Sequence, residues 1–353
     1  MTEKIICWYS ENSRNLPWRN TKDPYKIWVS EIILQQTKVA KGLSYYEKII
    51  AKYPDIQSFA NATEDEILLL WQGLGYYSRA RNMLATAKII VEKYFSFFPE
   101  NFEKLLELKG IGRYTAAAIV SFAFQIPFPA VDGNVVRFLS RFFGKLYTDN
   151  ETNRRKIFEP LAKNLMHNFA PDLFNQAFME FGAIVCKPLK PNCLECCVAE
   201  NCFAFKNNSI GEFPQKKKAV KITNRYFYYI YIRYKNFIYI KKRENFDIWN
   251  GLFEFPLIES KSPLLNNEVL NNSKFDSFFH EKIFSLKDIF QAKIHKLSHQ
   301  NIFATFFTIE IDSEEVLSEN FIGEYVKIKS EKISNFATSK LIENYLKKFH
   351  NKS

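Results

Sequence analysis

An acidic residue occupies the apolar side of a predicted helix near the N-terminus. Glu31 follows Ile27 by four residues and precedes Leu34 by three, so the three side chains share one helix face. An unpaired carboxylate is costly among apolar neighbours, and burial raises the pKa of a carboxyl group. A carboxyl group with a raised pKa can act as a general acid near neutral pH. A structural carboxylate with a buried partner would show the same spacing, so both interpretations remain open.

A second acidic residue, Asp132, precedes Gly133 and Asn134 at the start of another predicted helix. Apolar residues follow at helical spacing, and this position is typical of an N-cap. The sequence around Asp132 therefore allows either a purely structural cap or a carboxylate that faces a substrate.

Two glycines open a further predicted helix about twenty residues before Asp132. Gly110 and Gly112 precede the small-residue run Ala116–Val120. A Gly-x-Gly turn leaves backbone N–H groups free, and a phosphate oxygen can approach them because no Cβ stands in the way. Any tight corner between two helices can also use two glycines, so the turn alone indicates an anion site only weakly.

Four of the six cysteines are close together in the sequence, at Cys186, Cys193, Cys196 and Cys202. Four thiols in such a short stretch predict a metal site, and this donor set suits either zinc or an iron–sulfur cluster. A chance grouping of small buried residues is the alternative. The spacing does not choose between the two metals.

The pattern of apolar residues changes along the chain. Residues 24 to about 205 carry apolar residues at helical spacing, which predicts a succession of helices. Residues 206–221 have no periodic apolar face and contain a run of three lysines, which predicts a linker. Beyond them, runs dense in aromatic and β-branched residues predict strands, and a last helical pattern follows; these segments are Tyr226–Tyr234, Phe237–Ile240, Ile302–Ile311 and Lys340–Phe349.

We therefore expect a multidomain protein of α and α+β type. The predicted boundaries are a helical domain at residues 1–206, a basic linker at residues 207–221 and a smaller α+β domain at residues 222–353. The 353-residue chain is basic, with 49 Lys and Arg against 38 Asp and Glu and a formal net charge of +11. That balance suits a polyanion such as nucleic acid, although many basic proteins have no such partner.

The composition also bears on location. No uninterrupted apolar run reaches the about 18 residues of a membrane span, and residues 1–10 lack the apolar segment of a secretory signal. We expect a soluble cytoplasmic protein without a membrane partner, with its cysteines kept reduced.

Longer motifs resemble those of adenine DNA glycosylases of the MutY type, in the endonuclease III-like helix–hairpin–helix superfamily. The similar stretches cover nearly all of residues 8–203 and comprise Leu16–Arg19, Asp23–Tyr25, Trp28–Val39, Trp71–Arg81, Leu108–Thr115, Val131–Arg137, Phe174–Ala177 and the cysteine loop. The resemblance implies an all-helical helix–hairpin–helix domain in which the four clustered cysteines bind one 4Fe–4S cluster. Cys197 stands where the family usually has another residue, so a shifted set of ligands is the alternative.

The resemblance also implies the function. It points to a monofunctional DNA glycosylase that removes adenine mispaired with 8-oxoguanine or guanine in base excision repair. Its partner would be double-stranded DNA with an adenine mispair, and the enzyme would be a cytoplasmic monomer, associated with the nucleoid in a bacterium. The alternatives are a related iron–sulfur glycosylase for another mismatched or damaged base, and a non-catalytic iron–sulfur protein that binds DNA.

Individual roles follow from the same resemblance. Glu31 would protonate the adenine leaving group and then help water to attack, while Asp132 would stabilise the sugar cation. Tyr114 stands where related bifunctional enzymes have a lysine nucleophile, so base removal without efficient strand cleavage is implied. The remaining contacts to adenine or DNA would come from Arg19, Gln36, Thr37, Leu74, Tyr76, Gly110, Gly112, Asn134 and Gln176.

The C-terminal part shows a weaker resemblance. Trp249–Pro256 is similar to a Gly-Leu-Trp-Glu-Phe-Pro stretch in the Nudix-like C-terminal domain of this family. We find no acidic Mg²⁺-binding helix of the Nudix hydrolases after Pro256, so we expect the domain to bind and not to hydrolyse. His295–His299 resembles the family's recognition loop, with Leu297 in place of an aromatic residue, which implies that Ser298 and His299 contact 8-oxoguanine.

Overall fold

The computed structural model describes residues 1–147, 150–215, 222–244 and 247–350. The chain divides into two compact units, one formed by Met1–Ala62 and Arg81–Lys218 and the other by Thr63–Ala80 and Ala219–Ser353. Residues 216–221 of the predicted linker lie outside the described residues. In the described ranges, no helix has the length and apolar character needed to span a membrane.

Helices account for the regular structure described before residue 215, apart from short 3₁₀ turns. They are α1 (Thr2–Asn12), α2 (Pro24–Leu34), α3 (Val39–Lys52), α4 (Ile56–Ala60), α5 (Glu64–Trp71), α6 (Ser78–Tyr94), α7 (Phe102–Leu106), α8 (Arg113–Phe124), α9 (Gly133–Phe143), α10 (Glu151–Met166), α11 (Pro171–Ile184) and α12 (Phe203–Lys206). The predicted succession of helices is confirmed, and α5 belongs to the second unit.

Helix α2 lies in the interior of the first unit. It begins after Asp23, whose carboxylate accepts a hydrogen bond from the backbone N–H of Tyr25 at 2.9 Å. Every residue from Ile27 to Ile33 is buried. The helix packs against α8, where Ala116–Ala118 are buried and have small side chains that allow a close approach. The packing of α2 therefore fixes the position of the site residue that it carries.

The second unit contains a mixed sheet and further helices. Its later elements are β1 (Thr223–Tyr234), β2 (Phe237–Lys242), β3 (Phe253–Glu254), β4 (Leu257–Ser260), α13 (Asn266–Leu270), α14 (Ser273–Asp276), β5 (Ser285–Gln291), β6 (His295–Lys296), β7 (Gln300–Glu310), α15 (Glu319–Glu324), β8 (Val326–Lys329) and α16 (Lys340–His350). The three predicted strands and the last predicted helix are confirmed as β1, β2, β7 and α16.

Strand β1 is the centre of this sheet. It pairs in parallel with β7, while β4 and β2 pair with it antiparallel along its other edge. Its residues Phe227–Ile232 are all buried because both faces of the sheet are covered. Ile230 packs into a cluster with α14 and α15, and Tyr231 lies 5.5 Å from Tyr345 of α16, between ring centroids. The α+β character expected for this part of the chain is confirmed.

Candidate active site

A cavity of about 420 Å³ opens among the helices of the first unit. Its walls contain the three predicted catalytic residues, Glu31, Asp132 and Tyr114, and the predicted contacts Arg19, Gln36, Thr37, Asn134 and Gln176. Its volume is within the range of pockets that enclose small ligands. The fold therefore brings together residues that are distant in sequence, whereas Leu74, Tyr76, Gly110 and Gly112 do not line this cavity.

Glu31 is buried at the wall of the cavity, with 5% of its surface exposed. Loss of hydration is the main cause that raises its pKa, to about 7; the charge of Asp132 acts in the same direction. A hydrogen bond with Tyr114 and the charge of Arg19 oppose the increase. The Glu31 carboxyl group can consequently hold or release a proton near neutral pH.

Asp132 caps α9 and faces the same cavity. Its Oδ1 accepts hydrogen bonds from the backbone N–H groups of Asn134 and Val135, both at 2.8 Å, and its Oδ2 accepts one from Asn134 Nδ2 at 2.6 Å. Burial raises the pKa of Asp132, and these hydrogen bonds oppose the rise because they favour the anion. The two interpretations of Asp132 are thus compatible: the residue is an N-cap and also lies at the site.

Tyr114 lies in the first turn of α8. Burial, and then the nearby charges of Glu31 and Asp132, raise the pKa of Tyr114 well above its usual range, so its hydroxyl keeps the proton. The hydroxyl hydrogen-bonds with Glu31 and also lies 3.7 Å from Met179 Sδ. A carboxylate is a much stronger hydrogen-bond acceptor than a thioether. When Glu31 is ionised, the Tyr114 hydroxyl therefore donates to Glu31 in preference to Met179.

An ion-pair cluster centred on a buried glutamate also lines the cavity and was not predicted from the sequence. Glu180, with a side chain only 1% exposed, accepts hydrogen bonds from Arg14 Nε at 2.7 Å and Arg19 Nη2 at 2.7 Å. Burial alone would raise the pKa of Glu180, but these arginines outweigh it and lower the pKa to about 2. Nearby, the Tyr9 hydroxyl donates to Gln176 Oε1 at 2.7 Å. Glu180 and Arg14, which also line the cavity, therefore hold Arg19 in place, and Tyr9, which does not line it, holds Gln176.

The glycine turn precedes α8. Gly110 has φ +80°, a conformation that favours glycine, and a Cβ there would lie 3.0 Å from the Asn82 side chain. A Cβ on Gly112 would meet no protein atom within 4 Å. The backbone conformation and the nearby Asn82 therefore explain why a glycine stands at position 110. The protein surface at Gly112 is open.

Two of the predicted DNA contacts, Leu74 and Tyr76, lie in the second unit together with the predicted recognition residues Ser298 and His299. Tyr76 is 53% exposed with φ +49°, and its hydroxyl lies 2.8 Å from the exposed hydroxyl of Ser298. His299 is also exposed, and its Nε2 lies 2.8 Å from Gln300 Nε2. Leu74 is only 8% exposed, as expected of a core residue.

The four clustered cysteines line one small cavity together with Phe138, Phe181 and Arg141. Arg141 Nη1 lies 3.5 Å from Cys186 Sγ, a contact that suits a thiolate. Cys197 does not line this cavity, and its thiol points to the carbonyl of Lys4 in α1 at 3.6 Å. Within the described residues, no three His, Cys, Asp or Glu side chains are arranged to bind a metal ion.

Helix α9 connects this cysteine loop with Asp132. Arg137 Nη2 donates to Asn134 Oδ1 at 2.9 Å, and Arg137 Nε donates to the carbonyl of Cys186 at 2.8 Å. Because Asn134 also donates to Asp132, the chain of hydrogen bonds runs from the first predicted metal ligand to the predicted catalytic aspartate. The position of the loop is thereby linked to the position of the carboxylate.

Comparison with known proteins gives consistent results. Residues 29–164 match the HhH-GPD superfamily of base excision DNA repair proteins. An adenine DNA glycosylase of Buchnera aphidicola subsp. Schizaphis graminum is 38% identical over 301 residues, which cover 84% of this chain and 84% of the relative. Among solved structures, a thermostable thymine-DNA glycosylase has a TM-score of 0.54 and 30% identity, covering 58% of this chain and 95% of its own. Endonuclease III in a trapped covalent complex with DNA has a TM-score of 0.52 and 21% identity, covering 59% and 94%, and so shows a shared fold.

Proposed function

The chain belongs to the adenine DNA glycosylase family of base excision repair enzymes, and we propose that its cavity takes a flipped-out adenine opposite 8-oxoguanine or guanine. A base within a duplex must leave the stack before its glycosidic bond can be reached. The observation that carries the proposal is that Glu31, with a pKa near 7, shares one cavity with the N-capping Asp132.

We propose the following division of roles. Cleavage of the N-glycosidic bond leaves positive charge on the sugar and negative charge on the base. Protonated Glu31 donates to the departing adenine, and its carboxylate then accepts a proton from the attacking water. Asp132 stabilises the sugar cation as an anion whose orientation is fixed by three hydrogen bonds. Tyr114 orients Glu31 and offers no amine for a Schiff base, so the strand stays intact.

We further propose that Cys186, Cys193, Cys196 and Cys202 hold one 4Fe–4S cluster. Their shared cavity and the Arg141 contact support this choice, and the outward-turned thiol of Cys197 argues against a shifted register. When bound, such a cluster would stabilise the loop that follows α11. Arg137 and Arg141 of α9 donate hydrogen bonds to the backbone of that loop and so hold the helix against it.

For the second unit we propose a Nudix-like fold that reads the base opposite adenine. The mixed sheet with helices on both faces supports the fold assignment. Ser298 and His299 are exposed, and Ser298 is in hydrogen-bond contact with the exposed Tyr76. These exposed polar groups are available for hydrogen bonds with an oxidised guanine.

A direct test uses labelled duplexes with adenine opposite 8-oxoguanine, guanine or thymine, treated with or without alkali. We expect strand breaks only after alkali, and only when adenine faces 8-oxoguanine or guanine. Breaks without alkali would contradict the monofunctional mechanism. A duplex with thymine opposite guanine is a further arm, because of the similarity to the thymine-DNA glycosylase; preferential thymine release would contradict the substrate assignment.

A further inference from the structure

A second, smaller cavity adjoins the first on the far side of Tyr114. Tyr114, Val131 and Arg154 line both cavities, and Arg113 and Arg155 line only the smaller one. Arg154 is half-buried in the first turns of α10. Its guanidinium is therefore placed where the wall of the catalytic cavity ends and the second cavity begins.

The three arginines of this region differ in their partners. Arg113 is paired with Glu159, with Nη2 3.4 Å from Oε2, and its guanidinium lies 4.9 Å from the centre of the Phe102 ring. Among the residues that the structure describes, no carboxylate lies within 4.0 Å of the side-chain nitrogens of Arg154 or Arg155. Glu151 also lines the smaller cavity, but it forms no such pair with either arginine. Within the described part of the chain, Arg154 thus has no carboxylate partner at the edge of the catalytic cavity.

A half-buried guanidinium that pairs with no described carboxylate is well suited to bind an anion. Burial without a partner costs free energy, and a planar guanidinium can donate two hydrogen bonds to phosphate oxygens. When a nucleotide rotates out of the duplex, its base enters the pocket while its flanking phosphates stay at the mouth. A phosphate is therefore the anion that this enzyme brings to the edge of the cavity.

We propose that Arg154 binds a phosphate that flanks the flipped-out adenosine and so holds the sugar between Glu31 and Asp132. The inference rests on the proposed function of the cavity. It adds a residue of α10 to a site whose predicted catalytic residues lie on α2, on α8 and directly before α9. Arg155 is the natural control because it is the adjacent residue, carries the same charge and does not line the catalytic cavity.

The test compares the full-length protein with Arg154→Ala and Arg155→Ala under single-turnover conditions. The substrates are the duplex with adenine opposite 8-oxoguanine and two matched duplexes, with a neutral methylphosphonate 5′ or 3′ to the target adenosine. A charge-assisted contact predicts that Arg154→Ala slows adenine release from the ordinary duplex by about 10- to 100-fold. On one methylphosphonate duplex the same variant should lose less than about twofold, because the partner charge is already absent. Arg155→Ala should remain within about threefold of the wild type on every duplex.

A second readout is the dependence of duplex binding on salt. Loss of one phosphate contact should reduce the slope of log affinity against log salt by about one for Arg154→Ala. An equal loss on all three duplexes, or normal release by Arg154→Ala, would overturn the inference. If the wild type released no adenine, the proposed function itself would fail, so the two failures can be told apart.

Discussion

Glu31 and Asp132 are carboxylates of one cavity with different surroundings. Glu31 has the phenol of Tyr114 as its hydrogen-bond donor, whereas Asp132 accepts hydrogen bonds from two backbone N–H groups and one amide. Donors stabilise a carboxylate anion, and burial destabilises it. Burial raises the pKa of both carboxyl groups. The three hydrogen bonds to Asp132 favour its anion and oppose that rise, whereas the pKa of Glu31 reaches about 7. A site with one acid and one anion is what hydrolysis of an N-glycosidic bond requires.

This difference predicts how Glu31 affects stability. The pKa of Glu31 is raised from 4.5 to about 7 in the folded protein, so the folded state retains the proton more tightly. Each pKa unit corresponds to about 1.4 kcal/mol, so ionised Glu31 lowers the free energy of unfolding by about 3 kcal/mol. The penalty is absent below the unfolded pKa and develops as pH rises through the folded pKa. Glu31→Gln should therefore gain up to about 3 kcal/mol over the wild type at pH 8 and almost nothing at pH 4.

Urea unfolding of both proteins across this pH range measures the effect. Glu180→Gln is a suitable comparison because Glu180 is a buried carboxylate of the same cavity with a lowered pKa. That substitution should destabilise the protein by about 3 kcal/mol at pH 7, since it leaves two arginines without their partner. A constant difference between Glu31→Gln and wild type at all pH values would show that Glu31 is not destabilised by its charge.

At the scale of the helix, substitution can separate the capping role of Asp132, which its hydrogen bonds show, from its proposed role in catalysis. Asparagine caps a helix about as well as aspartate, so Asp132→Asn should keep the stability of α9 within about 1 kcal/mol. Adenine release should nevertheless fall by at least about 100-fold, because a neutral amide cannot offset the sugar cation. Asp132→Ala removes both the cap and the charge and should lose a further about 1 kcal/mol of stability. Normal release by Asp132→Asn, measured in single turnovers, would reduce Asp132 to a cap.

The cysteine loop gives a prediction about the metal. Protein purified without air should contain about four irons per chain, the number in one 4Fe–4S cluster. Cys197→Ser should keep this iron content because Cys197 points toward α1, whereas Cys196→Ser should lose it. Iron analysis and the visible absorption spectrum provide the measurement. Zinc in natively expressed protein would refute the iron–sulfur cluster. Loss of iron from Cys197→Ser but not from Cys196→Ser would refute the proposed ligands.

Several elements of the site were predictable from local patterns. Glu31 stood out because a carboxylate interrupted an apolar face, and Asp132 because it preceded a helix. Glu180 carries a similar signal, since it lies between Phe178 and Phe181 on a buried helix. Its partners Arg14 and Arg19 are 166 and 161 positions away in the sequence, and no periodic pattern pairs residues at such distances. The ion-pair cluster therefore required the tertiary structure.

At the scale of the whole molecule, the two compact units are not two continuous halves of the chain. Residues 63–80 group with the C-terminal part, although helical periodicity gave no reason to separate them from their neighbours. Periodicity reports which face of a helix is buried and not which part of the molecule covers it. Tests of the second unit are therefore best made by point substitution in the full chain.

Such a test concerns discrimination between opposite bases. Ser298→Ala combined with His299→Ala should reduce the preference for 8-oxoguanine over guanine opposite adenine by up to about 100-fold, the effect of one or two lost hydrogen bonds. Release from the adenine–guanine duplex should change little. The ratio of single-turnover rates at fixed salt is the measurement, because salt shifts affinity for every duplex. An equal loss on both duplexes would mean that the loop does not read the oxidised base.

The most direct measurement is single-turnover release of adenine opposite 8-oxoguanine by the wild type and Glu31→Gln between pH 5.5 and pH 8.5. Because the acid step needs protonated Glu31, the wild-type rate should fall as pH rises through about 7. Glu31→Gln should bind the duplex normally and release adenine at least about 100-fold more slowly, with no such fall. Near-wild-type release by Glu31→Gln, at any pH in this range, would contradict Glu31 as the general acid of this enzyme.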